Sequence, residues 1–244
     1  MKKNNTILIW PVLYIISMGI VNYICSRMHN TTYSDPNYIV LVTPFIAVMA
    51  ALTIICFICQ KDKLKLPWNE KGSLALFLII FIPIVGMTLF SLFVQGAMSK
   101  AVLMSIIGTL CVGIAEEFMF RRILFIGVLN KGNLKRAVLI SAIFFSLLHS
   151  VNVLSGVPIK NMFMQLIMTF IAGLYYAFMY LYTKNIYLLV AEHWLWDYLT
   201  VSVAKRIPWI GGVMVFLTLA QIIMIVIIAR RSRTMLLTKN KRNI

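Results

Sequence analysis

Glu116 and Glu117 stand side by side in an apolar stretch, and Arg121 follows four residues after the second of them. The residues from Ala101 to Ala115 carry no charge, and beyond Arg122 the chain is apolar again from Ile123 to Leu129. Seven acidic residues are present in all: Asp35, Asp62 and Glu70 in polar loops, and Glu116, Glu117, Glu192 and Asp197 in apolar surroundings. An ionisable group in an apolar membrane segment is costly and marks function by default. Two of the three histidines, His149 and His193, are placed the same way, with Asp197 four residues after His193, whereas His29 lies in a polar loop and reads as solvated. Carboxylates and imidazoles together meet the needs of amide hydrolysis: a base for water, donors for the oxyanion and a proton for the leaving amine. The same residue types also ligate metals, relay protons, or join helices through a Glu–Arg pair. A lone buried histidine is most often structural; two of them beside paired acids turn the reading toward chemistry.

The elements that carry these residues are membrane helices. The 244 residues are 61% hydrophobic, with a mean hydropathy of +0.90, which excludes a soluble domain and predicts a multi-pass, all-α helical bundle. Hydropathy predicts eight helices: Thr6–Cys25, Tyr38–Cys59, Ser73–Val94, Ala101–Leu129, Ala137–Val153, Met162–Thr183, Ile186–Ala204 and Ile207–Ala229. The fourth exceeds the length of about 20 residues that a span needs, and the fifth is short. Met1-Lys2-Lys3 before an apolar run resembles a signal peptide, but no small-residue cleavage site follows, so a retained first span is expected. With the N-terminus cytoplasmic, and Arg121 and Arg122 set aside, 16 lysines and arginines fall on the cytoplasmic side and 5 on the other. Both termini are therefore expected in the cytoplasm. The net charge of +16 comes without a basic stripe interleaved with aromatics, so no nucleic-acid partner is expected. The basic loops and tail suit anionic lipid. Cys25, Cys56, Cys59 and Cys111 read as buried thiols rather than a disulfide framework.

The turn Lys131-Gly132-Asn133-Leu134-Lys135 folds the fourth and fifth helices back on each other. Glu116 lies 13 residues before Leu129 and His149 lies 13 after Arg136. Both then sit about 20 Å from the turn, at one height in the membrane. Glu117 and Arg121 share a helix face and are expected to pair, while Glu116, about 100° away, faces another helix. Arg122 either extends the ion pairing or reaches outwards. His193 and Asp197 share a face of the seventh helix. Glu192 points away from them and reads as structural or interfacial.

Glu116-Glu117-x-x-x-Arg121, Phe145-x-x-x-His149 and His193-x-x-x-Asp197, taken in this order, resemble the three-motif signature of the CPBP intramembrane proteases. These are the CAAX-processing and bacteriocin-processing enzymes, also called the Abi family. The resemblance runs from about Ala101 to Thr200 and implies a catalytic core at 101–204. It leaves 1–100 as motif-free transmembrane helices and 205–244 as a last helix with a basic cytoplasmic tail. It implies a peptide bond hydrolysed by a glutamate-activated water, with Glu116 as base and His149 holding or polarising the water. His193 and residue 197 would stabilise the oxyanion, and Glu117 and Arg121 would set the position and charge of the first glutamate. The family often carries Asn where this chain has Asp197. An ionised Asp would repel an oxyanion, so Asp197 is either protonated or orients His193.

The reading is an intramembrane endopeptidase of the plasma membrane acting on a peptide or protein substrate, without a cofactor. In a bacterial chain the resemblance implies bacteriocin immunity or peptide processing. Zinc held by Glu116, His149 and His193 is the mechanistic alternative, although the helical His-x-x-x-His spacing of zincins is missing. A non-catalytic membrane adaptor or immunity protein, and a proton-relay transporter lacking repeated halves, are the alternatives from other classes.

Overall fold

The computed structural model describes residues 6–35, 37–95 and 99–241, with the backbone alone for residues 6 and 232–241. Lys2, Lys3 and the tail from Arg242 lie outside the described residues. The chain folds into helices α1 (Ile9–His29), α2 (Tyr38–Gln60), α3 (Ala75–Gln95), α4 (Lys100–Glu116), α5 (Ile126–Leu129), α6 (Leu134–Leu148), α7 (Ile159–Thr183), α8 (Ile186–Asp197) and α9 (Pro208–Lys241). No strand occurs among the described residues. A membrane interior offers no water to backbone groups, so helices that bond internally are the form this apolar chain takes.

The eight predicted helices recur with shifted ends, and seven are long and apolar enough to cross a membrane. The exception is the seventh, whose α-helical part, α8, has only 12 residues. At the other extreme, α9 runs past Ala229 to Lys241, because Arg, Lys, Met and Leu are all good helix formers and carry it beyond the apolar part.

Side-chain caps mark three of the turns. Ser99 accepts from the backbone N–H of Val102, Asn133 from Arg136 and Asn185 from Tyr187, each filling an orphan donor of the helix that follows. Gly132 takes a left-handed φ of 91° in the α5–α6 turn, where a side chain would strain the backbone.

Consecutive turns alternate between two faces. On one, Asn130 donates to the carbonyl of Lys65 at 3.0 Å, Ser73 N–H donates to the carbonyl of Tyr182 at 3.0 Å, and Lys184 pairs with Glu70. On the other, Tyr33 N–H donates to Ser155 at 2.9 Å, Lys205 donates to the carbonyls of Tyr33 and Asp35, and Arg206 reaches Gln95. The helices thus run up and down between these two faces.

The span Lys100–Leu129 is the most enclosed, 56% of it buried against 28–44% for the others. The motif helix is thus the hub of the bundle. Apolar residues such as Phe93, Ile82 and Phe216 face outwards, where lipid replaces water. Glycine sets the close approaches. A Cβ on Gly113 would lie 3.1 Å from the carbonyl oxygen of Val190 and 3.2 Å from Trp194 N, so its absence lets α4 press onto α8. Gly173 does the same for α7 against Ala142 of α6, where a Cβ would meet Ala142 Cα at 2.8 Å. Small residues at such crossings are how membrane helices gain packing.

Candidate active site

The two motif-bearing helices change winding at the acids. After Glu116 the chain continues as a π-helical stretch, Glu117–Phe125, and after Asp197 as another, Tyr198–Val203. Such i→i+5 turns are rare and are frequently found at functional sites. Hydropathy cannot register them, because a π turn buries the same apolar side chains. Ser141 of α6 donates to the carbonyl of Phe120 at 2.9 Å, tying the first π stretch to its neighbour.

Glu117 and Arg121 are both fully buried and paired, Nη1 to Oε1 at 3.1 Å. The same Glu117 Oε1 accepts from His193 Nδ1 at 2.8 Å. One carboxylate therefore anchors a cation on its own helix and an imidazole on α8. His193 Nε2 is left pointing between two other acids, 3.5 Å from Asp197 Oδ2 and 3.9 Å from Glu116 Oε2. The carboxylate in hydrogen-bond contact with His193 is thus Glu117, with Asp197 beside the opposite nitrogen. Glu116 Oε2 is buried and makes no hydrogen bond.

Arg121 keeps its charge in this interior by stacking as well as pairing. Its Cζ lies 4.1 Å from the Phe145 ring centre and 5.2 Å from that of Tyr176. Aromatic faces attract cations most strongly away from water. Its Nη2 reaches the carbonyl of Gly173 at 3.5 Å. Phe145 also packs edgewise on His193, ring centres 5.7 Å apart, and tilts against His149 at 5.4 Å. Tyr176 stacks on His193 at 5.1 Å. The aromatic position of the second motif is therefore a wall shared by Arg121, His149 and His193.

His149 closes α6, where the helix tightens into the 3₁₀ turn His149–Ser155. Its Nδ1 lies 3.0 Å from the carbonyl oxygen of Phe145. A carbonyl only accepts, so Nδ1 carries the proton and a neutral ring leaves Nε2 as an acceptor.

Glu116, His149 and Asp197 line a common cavity of about 90 Å³. Glu116 and His149, which the hairpin sets at one height, both turn toward this space. Its further polar walls include Asn22 of α1, Tyr33 of the following loop and Tyr38 of α2, from the region without motifs, and Asn152 beyond His149. Asn22 donates to Asn152 at 2.9 Å and accepts from Tyr38 at 3.0 Å. These are common residue types without a telling spacing, and sequence reasoning did not single them out. Tyr33 also lines a second cavity beside His149 and Asp197. Burial and the Asp197 carboxylate push its phenol well above the usual range, with a hydrogen bond to Gln165 opposing, so it is a protonated donor at the rim.

Two acid-motif neighbours stand apart. Arg122 donates to the carbonyl of Leu64 at 2.8 Å and covers the Phe57 ring, so it reaches out of the ion-pair cluster to the loop. Glu192, fully buried, faces the hydroxyl of Tyr175. Among the described residues no group of three or more His, Cys, Asp or Glu is placed to hold a metal ion. The Nδ1 atoms of His149 and His193 are each engaged, by Phe145 and Glu117.

Carboxylates and histidines are thus gathered inside a multi-pass helical bundle. The sequence model of the family described as type II CAAX prenyl endopeptidase Rce1-like matches residues 98–199. The match takes in all three motifs, so over these residues the chain is similar to the CAAX-protease type of intramembrane endopeptidase that the motifs resemble. No curated protein and no solved structure matches the chain.

Proposed function

We propose that the protein is a glutamate-type endopeptidase that hydrolyses a peptide bond with a water held between Glu116 and His149. The observation that carries this reading is the Glu116 carboxylate, buried, with Oε2 free of hydrogen bonds, in a cavity shared with His149 and Asp197. A water there donates one hydrogen to Glu116 and the other to His149 Nε2, which leaves an oxygen lone pair for the scissile carbonyl. The new C–O bond forms as Glu116 takes the proton. Doubly protonated His193 donates Nδ1–H to Glu117 and Nε2–H to the oxyanion, and preorganised donors of this kind supply much of the catalysis in acyl transfer. Collapse breaks the C–N bond, and Glu116 returns the proton to the leaving amine. Glu117 and Arg121 fix His193, and Asp197 helps to position its Nε2 side. These steps need no metal.

The cavity is rimmed by Tyr33 and Asn152, on the face of loop 30–37 that is poor in lysine and arginine. With both termini cytoplasmic, that face is outside a plasma membrane, which favours a small exported peptide, as in bacteriocin immunity or leader processing. The test is cleavage by purified protein in detergent, with and without a strong chelator, beside Glu116→Ala and His149→Ala. Chelator-resistant cleavage lost in both variants is the expected result. Chelator-sensitive cleavage would make Glu116 and His149 ligands instead. No cleavage, with both variants behaving as wild type in cells, would leave a membrane adaptor.

A further inference from the structure

Beside the catalytic cavity lies a second, larger space of about 370 Å³, bounded by α7, the α8 end and α9. It shares Tyr33, His149, Asp197 and Val201 with the first cavity, so the two meet at the reacting groups. Its size lies within the range of ligand sites, about 300–1,000 Å³. It begins near Ala204 and Gly211 at the face of loop 30–37 and runs inwards along α7 and α9 to Ala172 and Gln221. At a rise of about 1.5 Å per residue, Gln221 is about 20 Å below Pro208.

Gln221 is the anomaly of this space. It is 1% exposed, and both its carboxamide oxygen and nitrogen are buried without a hydrogen-bond partner. The other polar linings are satisfied locally. Thr218 donates to Met214, Thr169 to Gln165, Thr200 to Trp196, and Gln165 accepts from Asn152. A carboxamide left unpaired at this depth is costly and persists where something occupies it. It offers one acceptor and donors side by side, the complement of a peptide group.

We infer that the α7–α9 groove holds the substrate's backbone in extended form, with the Gln221 carboxamide pairing a peptide group while the scissile bond lies at Glu116 and His149. This deepens the proposed endopeptidase reading and rests on it. Backbone pairing is indifferent to side chains, so recognition through Gln221 follows the availability of a backbone N–H rather than a residue pattern. Gln221 is a positioning residue, remote from the reacting atoms.

The test reads binding without cleavage. Purified Glu116→Gln protein in detergent is titrated with a fluorescein-labelled decapeptide of alternating leucine and serine, and with the same peptide N-methylated at every leucine. The unmethylated peptide should bind about tenfold tighter, the worth of one buried hydrogen bond. Adding Gln221→Leu should remove that preference and bring both peptides to the weaker affinity. The Gln221→Leu protein should melt no lower than its parent, because the carboxamide has no partner to lose. Three results overturn the inference: no saturable binding of the plain peptide, a methylation preference that survives Gln221→Leu, or a lowered melting temperature with both peptides weakened alike. If the preference behaves as expected but wild-type protein cuts nothing, the groove stands and the endopeptidase reading falls.

Discussion

Gly113→Ala probes how finely the bundle sets the site. The added Cβ would meet the Val190 carbonyl oxygen at 3.1 Å, Trp194 N at 3.2 Å and Trp194 Cα at 3.4 Å. These atoms are backbone and cannot rotate away, so α4 and α8 must part by about 0.3 Å to reach ordinary contact. Trp194 adjoins His193, and Gly113 lies one turn before Glu117. The shift therefore falls on the bond between them, which lengthens from 2.8 Å toward the limit of a good hydrogen bond, about 3.2 Å. Overpacking costs about 1–3 kcal/mol, offset by about 1 kcal/mol for replacing a helical glycine with alanine. The fold should survive with about 0–2 kcal/mol lost. Activity should suffer more: a misplacement of about 1 Å costs about 100-fold, so a third of it predicts a three- to tenfold drop in kcat/KM. Gly86→Ala is the control, because a Cβ there meets nothing within 4 Å. Cleavage rates and detergent melting curves of both variants give the answer. Wild-type kcat/KM in Gly113→Ala, or an activity loss no greater than its unfolded fraction, would refute the claim that this approach positions His193.

Glu116→Gln should abolish cleavage while leaving the melting temperature near wild type, since its Oε2 bonds nothing; Glu117→Gln should lower both, and equal melting of the two variants would show that the division of roles is wrong. Arg121→Met leaves the buried Glu117 without its 3.1 Å partner and should destabilise by about 3–5 kcal/mol. The double variant Arg121→Met/Glu117→Gln should recover part of that loss in a denaturation series, and no recovery would mean that the pair is not the source. Tyr33→Phe should reduce cleavage about tenfold, one hydrogen bond's worth. Because burial and Asp197 hold the phenol above its usual range, it stays protonated from mildly acidic to alkaline pH. The wild-type to Tyr33→Phe rate ratio should therefore be flat across a pH series, and a ratio that collapses at alkaline pH would show that the phenol titrates there.

Periodicity and cost made much of the site legible. The Glu117–Arg121 pair follows from i,i+4 spacing, and the shared height of Glu116 and His149 follows from counting residues out of one turn. What stayed hidden has physical reasons. The π stretches after Glu116 and Asp197 bury the same kinds of side chain that an α-helix would, so no hydropathy pattern separates them. Asn22, Tyr33 and Tyr38 reach the cavity by tertiary packing of α1 and α2, and nothing local marks them. The reach of Glu117 to His193 joins residues 76 apart, a contact that two separate i,i+4 rules could not foresee. Those rules instead left Asp197 as a possible orienter of the imidazole. The motif-free helices, set apart at 1–100 by sequence, supply part of the wall around Glu116, His149 and Asp197.

The adjacency of the two glutamates follows from the cost of charge in a membrane. A single carboxylate tied to Arg121 and His193 would be well placed but shut away, since Glu117 is fully buried and does not line the cavity. A single free carboxylate would have neither a cation nor an imidazole to hold the surrounding helices in register. Successive helix positions, about 100° apart, resolve this conflict on one backbone. Glu117 turns to Arg121 and His193 and makes the rigid part. Glu116 turns to the cavity with an oxygen left free. The close approach at Gly113 then makes the arrangement stiff, because α4 and α8 meet backbone to backbone. Rigid support beside a carboxylate oxygen without a hydrogen bond is what the proposed base requires.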